Sequence, residues 1–276
     1  MKNKLAIITV FYNNYQVGED FFKSLGNQKN QNFHVYVADL SIKKKKNLGG
    51  VYNSFPKIAK KITIISSQNK GYAYGVNLGL KEAIKNGFFN FCVINNDVFF
   101  NNDFVDQVLL ALKNNPYSIS GGKIYYAKGF EYYKDRYQKK DLGSVIWYAG
   151  GFFDWRNVLT PHRGVDEIDR GWYNNLEEVD FVTGCLMIFD KKVVKKIGFW
   201  DESYFLYFED ADYCQKAIKK NIKIYYNPKI VIYHKNAQST QGAGSLIHQK
   251  YQKKSRLKFG LKYAPLRTKI HLLMGK

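Results

Sequence analysis

The first hundred residues alternate between strand-like and helix-like segments, and this alternation constrains the fold more than any other feature of the chain. Four β-prone runs occupy residues 5–12, 33–40, 62–66 and 89–94, and helical spacing of apolar residues marks 17–28 and 73–86. The first run is almost continuously apolar, as buried parallel strands are. The pattern therefore predicts an α/β fold in which helices cover both faces of a parallel sheet.

Polar side chains stand where the predicted strands end. They are Thr9, Asp39, Asn69 and the run Asn95-Asn96-Asp97. In open α/β sheets, ligands bind in the crevice beyond the carboxyl ends of the strands. Four polar strand ends at one edge of the sheet are what a nucleotide pocket needs.

Beyond residue 100 the alternation weakens. A helix is predicted at 103–115, and residues 117–175 are rich in Gly, Tyr and Trp, which is typical of irregular strands and loops facing a substrate. The remaining predicted elements are a strand over 178–189 interrupted at 183–185, helices over 191–198 and 208–220, strands over 222–226 and 230–234, and a basic helix over 246–260. Residues 42–57, with four consecutive lysines, are predicted to be an exposed loop. Because no repeat or linker divides the chain, one domain is expected.

The charge balance is strongly basic, with 43 Lys and Arg against 23 Asp and Glu and a net charge of +20. Such a balance suits nucleic acid, an anionic membrane surface or phosphorylated substrates. No helix-turn-helix, aromatic RNA-binding strand or zinc-ligand spacing occurs in the sequence, so nucleic acid is not expected as a partner.

The cysteines and the apolar runs bear on location. Cys92, Cys185 and Cys214 are far apart in apolar settings, which indicates free thiols in a reducing compartment. No apolar run approaches the roughly 20 residues of a membrane span. A cytoplasmic protein without a transmembrane anchor is therefore expected. The basic segment 249–269 is open to two interpretations, peripheral contact with anionic lipid at the inner face of the cell membrane or a solvated helix.

The stretch 207–214, Tyr-Phe-Glu-Asp-Ala-Asp-Tyr-Cys, places three carboxylates within four residues of a basic protein. Acidic side chains in the first turn of a helix complement its dipole, and this is one interpretation. The other is that one carboxylate acts as a general base. The stretch alone leaves both open.

Two further positions suggest a metal. Asp97 follows a buried strand directly, and a carboxylate there can hold a divalent cation that bridges to a diphosphate. His234 ends another predicted strand, and an imidazole in the ligand set favours Mn²⁺ over Mg²⁺. The alternatives are a polar turn at 95–97 and a half-buried histidine bonded to backbone.

Several motifs are absent from the sequence. No Gly-Lys-Ser/Thr phosphate loop occurs, and no Gly-x-Gly-x-x-Gly follows the first strand, which argues against nucleotide hydrolases and dinucleotide dehydrogenases. No Gly-x-Ser-x-Gly elbow occurs, which argues against a serine hydrolase.

Six short motifs in a fixed order give the chain a resemblance to glycosyltransferase family 2. They are Thr9-Val-Phe-Tyr-Asn-Asn14 followed by Asp39, Asn69-Lys-Gly-Tyr-Ala-Tyr-Gly-Val-Asn77, Asn95-Asn-Asp97, Asp180-Phe-Val-Thr-Gly-Cys-Leu-Met187, Phe205-Leu-Tyr-Phe-Glu-Asp-Ala-Asp212, and Tyr233-His234. The chain is most similar to the rhamnosyltransferase-like and galactofuranosyltransferase-like enzymes of bacterial surface polysaccharides. The resemblance covers residues 4 to about 260.

The resemblance implies a GT-A fold, in which a Rossmann-like nucleotide-binding half is fused to an acceptor-binding half around one central, mostly parallel sheet. Residues 1–265 would form a single GT-A domain, with the nucleotide-sugar half at 1–100, the acceptor and catalytic half at 101–245, and a basic helix and tail at 246–276. It also implies an inverting, metal-dependent transfer from a nucleoside-diphosphate sugar, of the dTDP-rhamnose or UDP-sugar kind, to a glycan or lipid-linked glycan.

The same resemblance assigns residues to roles. The donor-binding set is Thr9, Tyr12, Asp39, Asn69, Gly71, Asn77, Asn95, Asn96, Asp97 and Lys254. The ligands of Mn²⁺ or Mg²⁺ are Asp97 and His234. The catalytic base is Asp210, with Glu209 beside it facing the acceptor, and Asp212 is assigned a structural role. The acceptor pocket is shaped by Gly184, Cys185 and Trp147.

The chain also departs from the family pattern. Asn95 and Asn96 replace the other acids of the metal motif, and Leu40 stands where an Asn usually follows the ribose-contacting Asp. The run 254–256 is Lys-Ser-Arg, where many relatives have Arg-Asn-Arg. Two alternatives remain, a sugar-nucleotide nucleotidyltransferase and a catalytically silent nucleotide-sugar-binding protein. The first usually carries a Gly-rich, Lys- or Arg-containing loop after its first strand, and residues 9–14 contain none.

Overall fold

The structure is a computed structural model that describes residues 3–41, 54–235 and 246–274. Residues 42–53, which form most of the lysine-rich loop predicted over 42–57, lie outside the described residues. The strands are β1 (Leu5–Phe11), β2 (Phe33–Asp39), β3 (Ile62–Ser66), β4 (Asn90–Ile94), β5 (Val98–Phe100), β6 (Ile119–Tyr126), β7 (Ile146–Tyr148), β8 (Glu177–Glu178), β9 (Leu186–Asp190) and β10 (Ile224–His234). The helices are α1 (Glu19–Gly26), α2 (Pro56–Ala59), α3 (Tyr72–Lys85), α4 (Phe104–Asn114), α5 (Lys191–Ile197), α6 (Glu209–Ile218), α7 (Leu246–Tyr263) and α8 (Leu266–Leu273).

All the described strands belong to one sheet, in the order β3-β2-β1-β4-β9-β6-β10-β5, with β7 beside β6 and β8 beside β10. The strands β3, β2, β1 and β4 run parallel to one another. Strand β9 runs antiparallel to both β4 and β6, and β5 runs antiparallel to β10. The sheet is therefore parallel in its first half and mixed beyond β4, and it extends without a break from one half of the molecule to the other.

The centre of the sheet is the core of the protein. Strand β4 is buried throughout, and only Val10 of β1 is partly exposed. Helix α3 packs on β1 closely enough that a Cβ on Gly79 would lie 2.5 Å from the side chain of Ile8. Because both faces of these strands are covered, their sequences are apolar without alternation, as parallel strands require.

The elements predicted in the first hundred residues are confirmed to within about two residues, and so are the predicted helices at α4, α5 and α6. The structure differs in the second half. Strand β6 crosses a stretch predicted to be irregular, and the strands predicted over 222–226 and 230–234 form one strand, β10, with a register shift between Asn227 and Val231. Helix α8 follows Pro265 in what was predicted only as a basic tail.

Glycines explain why β6 was not predicted. A Cβ on Gly122 would lie 2.3 Å from the carbonyl oxygen of Ile230, and a Cβ on Gly121 would lie 2.7 Å from the side chain of Val182. Glycine in a strand usually marks a close approach of another chain segment. Here the approaching segments are about 60 and 110 residues away in sequence, so the local pattern does not reveal them.

None of the described helices is both long enough and apolar enough to cross a membrane.

Candidate functional site

Strand pairing brings Asp97 and His234 together. In the antiparallel pair of β10 and β5, His234 lies opposite Val98, and the backbone N–H of Lys235 donates to the carbonyl of Asp97 at 2.8 Å. The carboxylate Oδ1 of Asp97 then lies 3.2 Å from Nε2 of His234, and both side chains are buried. The predicted pair of metal ligands is therefore adjacent, although 137 residues separate the two in sequence.

The donor atoms of this pair fit a divalent cation. Apart from Nε2 of His234 at 3.2 Å, Oδ1 of Asp97 has no polar partner among the described residues. Two ligands at right angles around a cation, each at about 2.1 Å, would be about 3 Å apart, which is close to the observed separation. No third His, Cys, Asp or Glu completes a cluster within the described parts of the chain. Further ligands would be groups of other kinds, such as amide or carbonyl oxygens, a bound substrate or water.

Electrostatics keep Asp97 ionised. Burial raises the pKa of its carboxyl, but the His234 imidazole, the Asp97 backbone and the Lys235 ammonium together lower it below its ordinary value. An ionised, buried carboxylate is costly unless a positive group faces it. In this structure that compensation comes from His234 and Lys235.

The acidic stretch starts a helix, as predicted. Helix α6 carries Glu209, Asp210 and Asp212 in its first turn, where carboxylates complement the helix dipole. The helix-start interpretation is thus confirmed, but it leaves room for a further role because the three side chains face different surroundings.

Asp210 is held by backbone donors from two segments. Its Oδ2 accepts from the N–H of Gly184 at 2.8 Å, and its Oδ1 accepts from the N–H of Ala211 at 2.8 Å. Burial raises the pKa of the Asp210 carboxyl, and these N–H groups pull the pKa the other way. As a residue, Asp210 is partly exposed. A fixed carboxylate with a raised pKa, on a partly exposed residue, has the properties expected of a general base.

The backbone before Asp210 is in a rarely used conformation. Tyr207 and Phe208 have φ values of 68° and 66°, in the left-handed region that side chains other than glycine seldom adopt. Each such residue costs on the order of 1–3 kcal/mol. Packing compensates, because the buried ring of Phe208 lies 5.3 Å from that of Phe259, and Ser255 donates to the carbonyl of Leu206 at 2.8 Å. Helix α7 therefore supports the conformation that precedes Asp210.

Glu209 is buried, at 6% exposure, and its Oε2 has no hydrogen-bond partner among the described residues. Burial and the adjacent Asp210 hold the pKa of this carboxyl well above its usual range. In this structure Glu209 presents little surface to a solvent-borne acceptor, so its predicted contact with the acceptor stays a prediction.

Asp212 is fully buried and anchors helix α7. Its Oδ1 accepts from Nζ of Lys262 at 2.5 Å and from the hydroxyl of Tyr263 at 3.0 Å. These partners stabilise the packing of α7 on α6, which is the structural role predicted for Asp212.

Tyr72 joins the two halves of the site, a role that the sequence pattern did not predict. Its hydroxyl lies 3.0 Å from Oδ1 of Asn95 and 3.0 Å from the carbonyl of Gly184. The N–H of Asn95 also donates to the carbonyl of Cys185 at 3.1 Å. The metal-motif turn and the turn that holds Asp210 are thus tied to each other. The only signal in the sequence is that Tyr72 follows the Asn-Lys-Gly motif.

The residues predicted to bind the base and ribose lie at the ends of β1 and β2. Thr9 is fully buried, and its hydroxyl has no partner within the described residues. Tyr12 is 38% exposed. Asp39 accepts from the hydroxyl of Tyr15 at 2.9 Å and from the N–H of Ser41 at 3.1 Å. Asp39 and Tyr12 lie at this sheet edge, whereas Thr9 lies within β1, which ends at Phe11.

Three more of the predicted donor-binding residues contact backbone segments of the protein. Asn69 accepts from the N–H of Gly71 at 3.0 Å. Gly71 itself has φ +107°, and a Cβ there would lie 2.4 Å from the carbonyl oxygen of Phe205, so only glycine fits. Asn96 donates to the carbonyl of Val10 at 3.1 Å. All three shape the backbone of the predicted pocket.

Asn77 is turned into the protein. Its amide exchanges hydrogen bonds with the backbone of Trp200 at 2.9 and 3.0 Å and donates to Glu202 at 2.8 Å. With 1% of its surface exposed, it positions the segment before α6 in this structure. Its predicted nucleotide contact stays a prediction.

The predicted acceptor residues surround the same site. The N–H of Gly184 orients Asp210, and Cys185 is buried next to it. The Trp147 ring lies 4.7 Å from the ring of His234 and 4.6 Å from that of His162 in edge-on arrangements. Trp147 therefore borders the predicted metal-ligand pair, and His162, which was not predicted, supports it.

Lys254 is exposed on α7, one residue before Ser255, and its contact with a diphosphate stays a prediction.

One groove among the described residues lies away from these groups. It encloses about 860 Å³ and is lined by α1 and residues 99–103, none of which was predicted for the site. We locate the site by its chemistry, because the carboxylates, the imidazole and the oriented backbone groups converge at the edge formed by β4, β9 and β10.

Comparisons with known proteins bear on the family and the fold of the chain. The family model for Glycosyl transferase family 2 matches residues 6–198. The low-salt glycan biosynthesis hexosyltransferase Agl10 of Haloferax volcanii is 25% identical over 162 residues, covering 58% of this chain and 47% of Agl10. The chain therefore spans about half the length of that curated relative.

Two solved structures are similar over most of the chain. A mannosyltransferase from Pyrobaculum calidifontis, in complex with GDP-Man and Mn²⁺, has a TM-score of 0.58 and 13% identity, covering 99% of this chain and 70% of that one. GalNAc-T7 with UDP, GalNAc and Mn²⁺ has a TM-score of 0.65 and 12% identity, covering 91% and 48%. At these identities the likeness concerns the fold, and it confirms the predicted GT-A type of α/β fold. Because the family model covers well over half of its residues, the chain belongs to glycosyl transferase family 2.

Proposed function

We propose that the protein transfers a sugar from a nucleoside-diphosphate sugar to a hydroxyl of a glycan in a single inverting step. The proposal rests on one observation. The turn that carries Asp97, beside His234, is linked to the turn that holds Asp210. Tyr72 and the Asn95 N–H hold those turns together. A donor diphosphate and an acceptor hydroxyl would meet there.

The chain's own residues have distinct tasks in this step. Asp210 takes the proton from the acceptor hydroxyl as that oxygen attacks the anomeric carbon, and the N–H groups of Gly184 and Ala211 keep its carboxylate oriented. The carboxylate of Asp97 and the imidazole of His234 would hold Mn²⁺ or Mg²⁺ against the diphosphate. Such a cation offsets the negative charge that develops on the departing nucleoside diphosphate.

We propose first a class of donor, and then a narrower choice of donor and acceptor. Because the two similar structures hold GDP-Man and UDP, each with Mn²⁺, a nucleotide sugar is the donor class that we favour. Within it we favour dTDP-rhamnose-like or UDP-sugar donors and a bacterial surface glycan, lipid-linked, as acceptor. A cytoplasmic location fits the three free, buried cysteines.

A thermal-shift screen of nucleoside diphosphates and nucleotide sugars, with and without Mn²⁺, tests the donor class. We expect one nucleotide to raise the melting temperature only when the metal is present, because stabilisation follows ligand affinity. The selected donor is then incubated with glycan acceptors, and proton NMR reports the anomeric configuration of the product. Retention of configuration would contradict the single displacement, and donor binding without any transfer would indicate a silent binder.

A further inference from the structure

Helix α8 carries an apolar face that no described residue covers. Leu266, Ile270, Leu273 and Met274 are 74%, 49%, 72% and 61% exposed. At 100° per residue they fall within one arc of about 100° on the helix. The opposite side holds Leu272, which is partly buried and packs against Gly260 of α7. The helix is thus docked on the protein by one side and presents its apolar side outward.

Cationic side chains flank this apolar arc. On the same projection, Arg267 lies at one border and Lys269 at the other. The ion pairs of the described C-terminal helices involve Lys258 and Lys262, and neither Arg267 nor Lys269 takes part in them. We call Leu266, Arg267, Lys269, Ile270, Leu273 and Met274 the α8 face. An apolar stripe bordered by cations is the pattern of helices that lie in the plane of a membrane interface.

The charge of the C-terminal quarter points to the same kind of partner. Residues 213–276 contain 13 lysines and 2 arginines and no aspartate or glutamate. This quarter therefore carries most of the net charge of +20. A second copy of the chain would bring like charge against like charge, which disfavours self-association. Nucleic acid would match the charge but not the four exposed apolar side chains, whereas an anionic bilayer surface matches both.

Helix α7 connects the α8 face to the candidate site. Ser255 binds the carbonyl of Leu206, and Lys262 binds Asp212, so α7 contacts the chain on both sides of Asp210. A protein docked through α8 would hold Asp210 in a fixed relation to the bilayer. This arrangement suits an acceptor glycan that is anchored in the same bilayer.

We propose that the α8 face, with the cations of α7 around it, docks the protein on an anionic lipid bilayer and holds it beside a lipid-anchored acceptor. The choice of acceptor rests on the proposed function, whereas the docking itself does not require transfer activity.

Vesicle flotation tests the docking. The full chain is mixed with vesicles of phosphatidylcholine, alone or with phosphatidylglycerol, at low and moderate salt. We expect flotation only with phosphatidylglycerol, weakened by salt because exposed charges are screened. The double variant Leu266→Ser/Leu273→Ser should lose roughly ten-fold or more of its vesicle affinity. The variant Arg267→Gln/Lys269→Gln should lose roughly five-fold per charge at low salt.

A matched control separates a specific face from general charge. Lys195→Gln/Lys196→Gln removes the same charge from exposed positions of α5, and it should float as the parent protein does. Circular dichroism and melting temperature verify that the variants are folded, as expected because the two leucines are mostly exposed.

The outcomes are decisive. No flotation of the parent protein on anionic vesicles would overturn the proposal, and so would flotation that the leucine variant retains. A monomer–dimer equilibrium abolished by the leucine variant, without lipid binding, would make the α8 face a self-association surface instead. Donor binding and transfer to a soluble glycan are measured separately on the same variants, so a failure of the docking is distinct from a failure of the proposed function.

Discussion

Replacement of Asp210 by Asn tests the central chemical claim. The substitution keeps the size and one acceptor oxygen of the side chain but removes its capacity to take a proton. In the structure the carboxylate accepts two backbone N–H groups at 2.8 Å and contacts neither Asp97 nor His234 through a hydrogen bond. The effect on proton transfer should therefore be separable from the effect on donor and metal binding.

The structure sets the size of each expected effect. A positioned general base typically supplies about 10²–10⁴-fold, so kcat for Asp210→Asn should fall by that amount. One of the two N–H groups loses its acceptor, which costs about 1–3 kcal/mol. Removal of a buried carboxyl whose pKa is raised by burial acts in the opposite direction. The melting temperature should therefore move by no more than about 10 °C, which leaves the variant folded at assay temperature.

The assay combines initial transfer rates with a donor titration by calorimetry in the presence of Mn²⁺. We expect kcat to fall while the donor Kd stays within about three-fold, since proton transfer and donor binding draw on different residues. Asp135→Asn, the same change at an exposed carboxylate outside the candidate site, is the matched control and should keep parental rates. A kcat within ten-fold of the parent would refute the assignment of Asp210, and a parallel loss of donor affinity would show that Asp210 acts in binding.

Three other measurements test the site and its support. Asp97→Asn should weaken Mn²⁺-dependent donor binding by roughly 100-fold or more, because a metal ligand contributes at least as much to metal affinity as the groups that orient it. Equal donor affinity with and without metal would exclude a metal at Asp97 and His234. As the pH is lowered, kcat should begin to fall at a pH above the ordinary pKa of an aspartate, because burial raises the pKa of Asp210 and only its ionised form accepts a proton. A kcat that stays constant down to the ordinary pKa of an aspartate would count against Asp210 as the base. Lys262→Met should lower the free energy of unfolding by about 2–3 kcal/mol, which is less than for a fully buried pair because Lys262 is 40% exposed. Calorimetry should then show a melting temperature lower by about 4–12 °C. Lys253→Met, at an exposed position of the same helix, should leave the melting temperature unchanged.

The first half of the fold could be predicted because its signals are local. Strands β1 to β4 are apolar runs that end in polar turns, and parallel pairing follows from the alternation with helices. In the second half the signals depend on distant segments. Lys123 lies in the middle of strand β6, where its ammonium binds Asp169 at 2.6 Å in a buried pair. Alone, a lysine beside two glycines indicates a loop, and only its partner 46 residues away makes it compatible with a buried strand.

The same distinction applies to the site. Asp97, Asp210 and His234 could be proposed for the site from the sequence because each stands at the end of an element and matches a motif of the family. Tyr72 could not, because its importance lies in a hydroxyl that reaches Asn95 and Gly184, 23 and 112 residues further along the chain. The inward orientation of Asn77 is likewise set by Trp200, 123 residues away.

The conformation before α6 shows why the site depends on the C-terminal helices. Tyr207 and Phe208 occupy left-handed backbone conformations that their side chains disfavour, so the segment needs compensation from outside. The family model ends at residue 198, before both this segment and α7. The compensation comes from α7, through the Phe259 ring beside Phe208 and the Ser255 hydroxyl on Leu206. A helix beyond the matched region thus fixes the backbone that aims the proposed base, and it is also the helix on which the α8 face is mounted. Loss of α7 packing should therefore impair transfer before it unfolds the sheet.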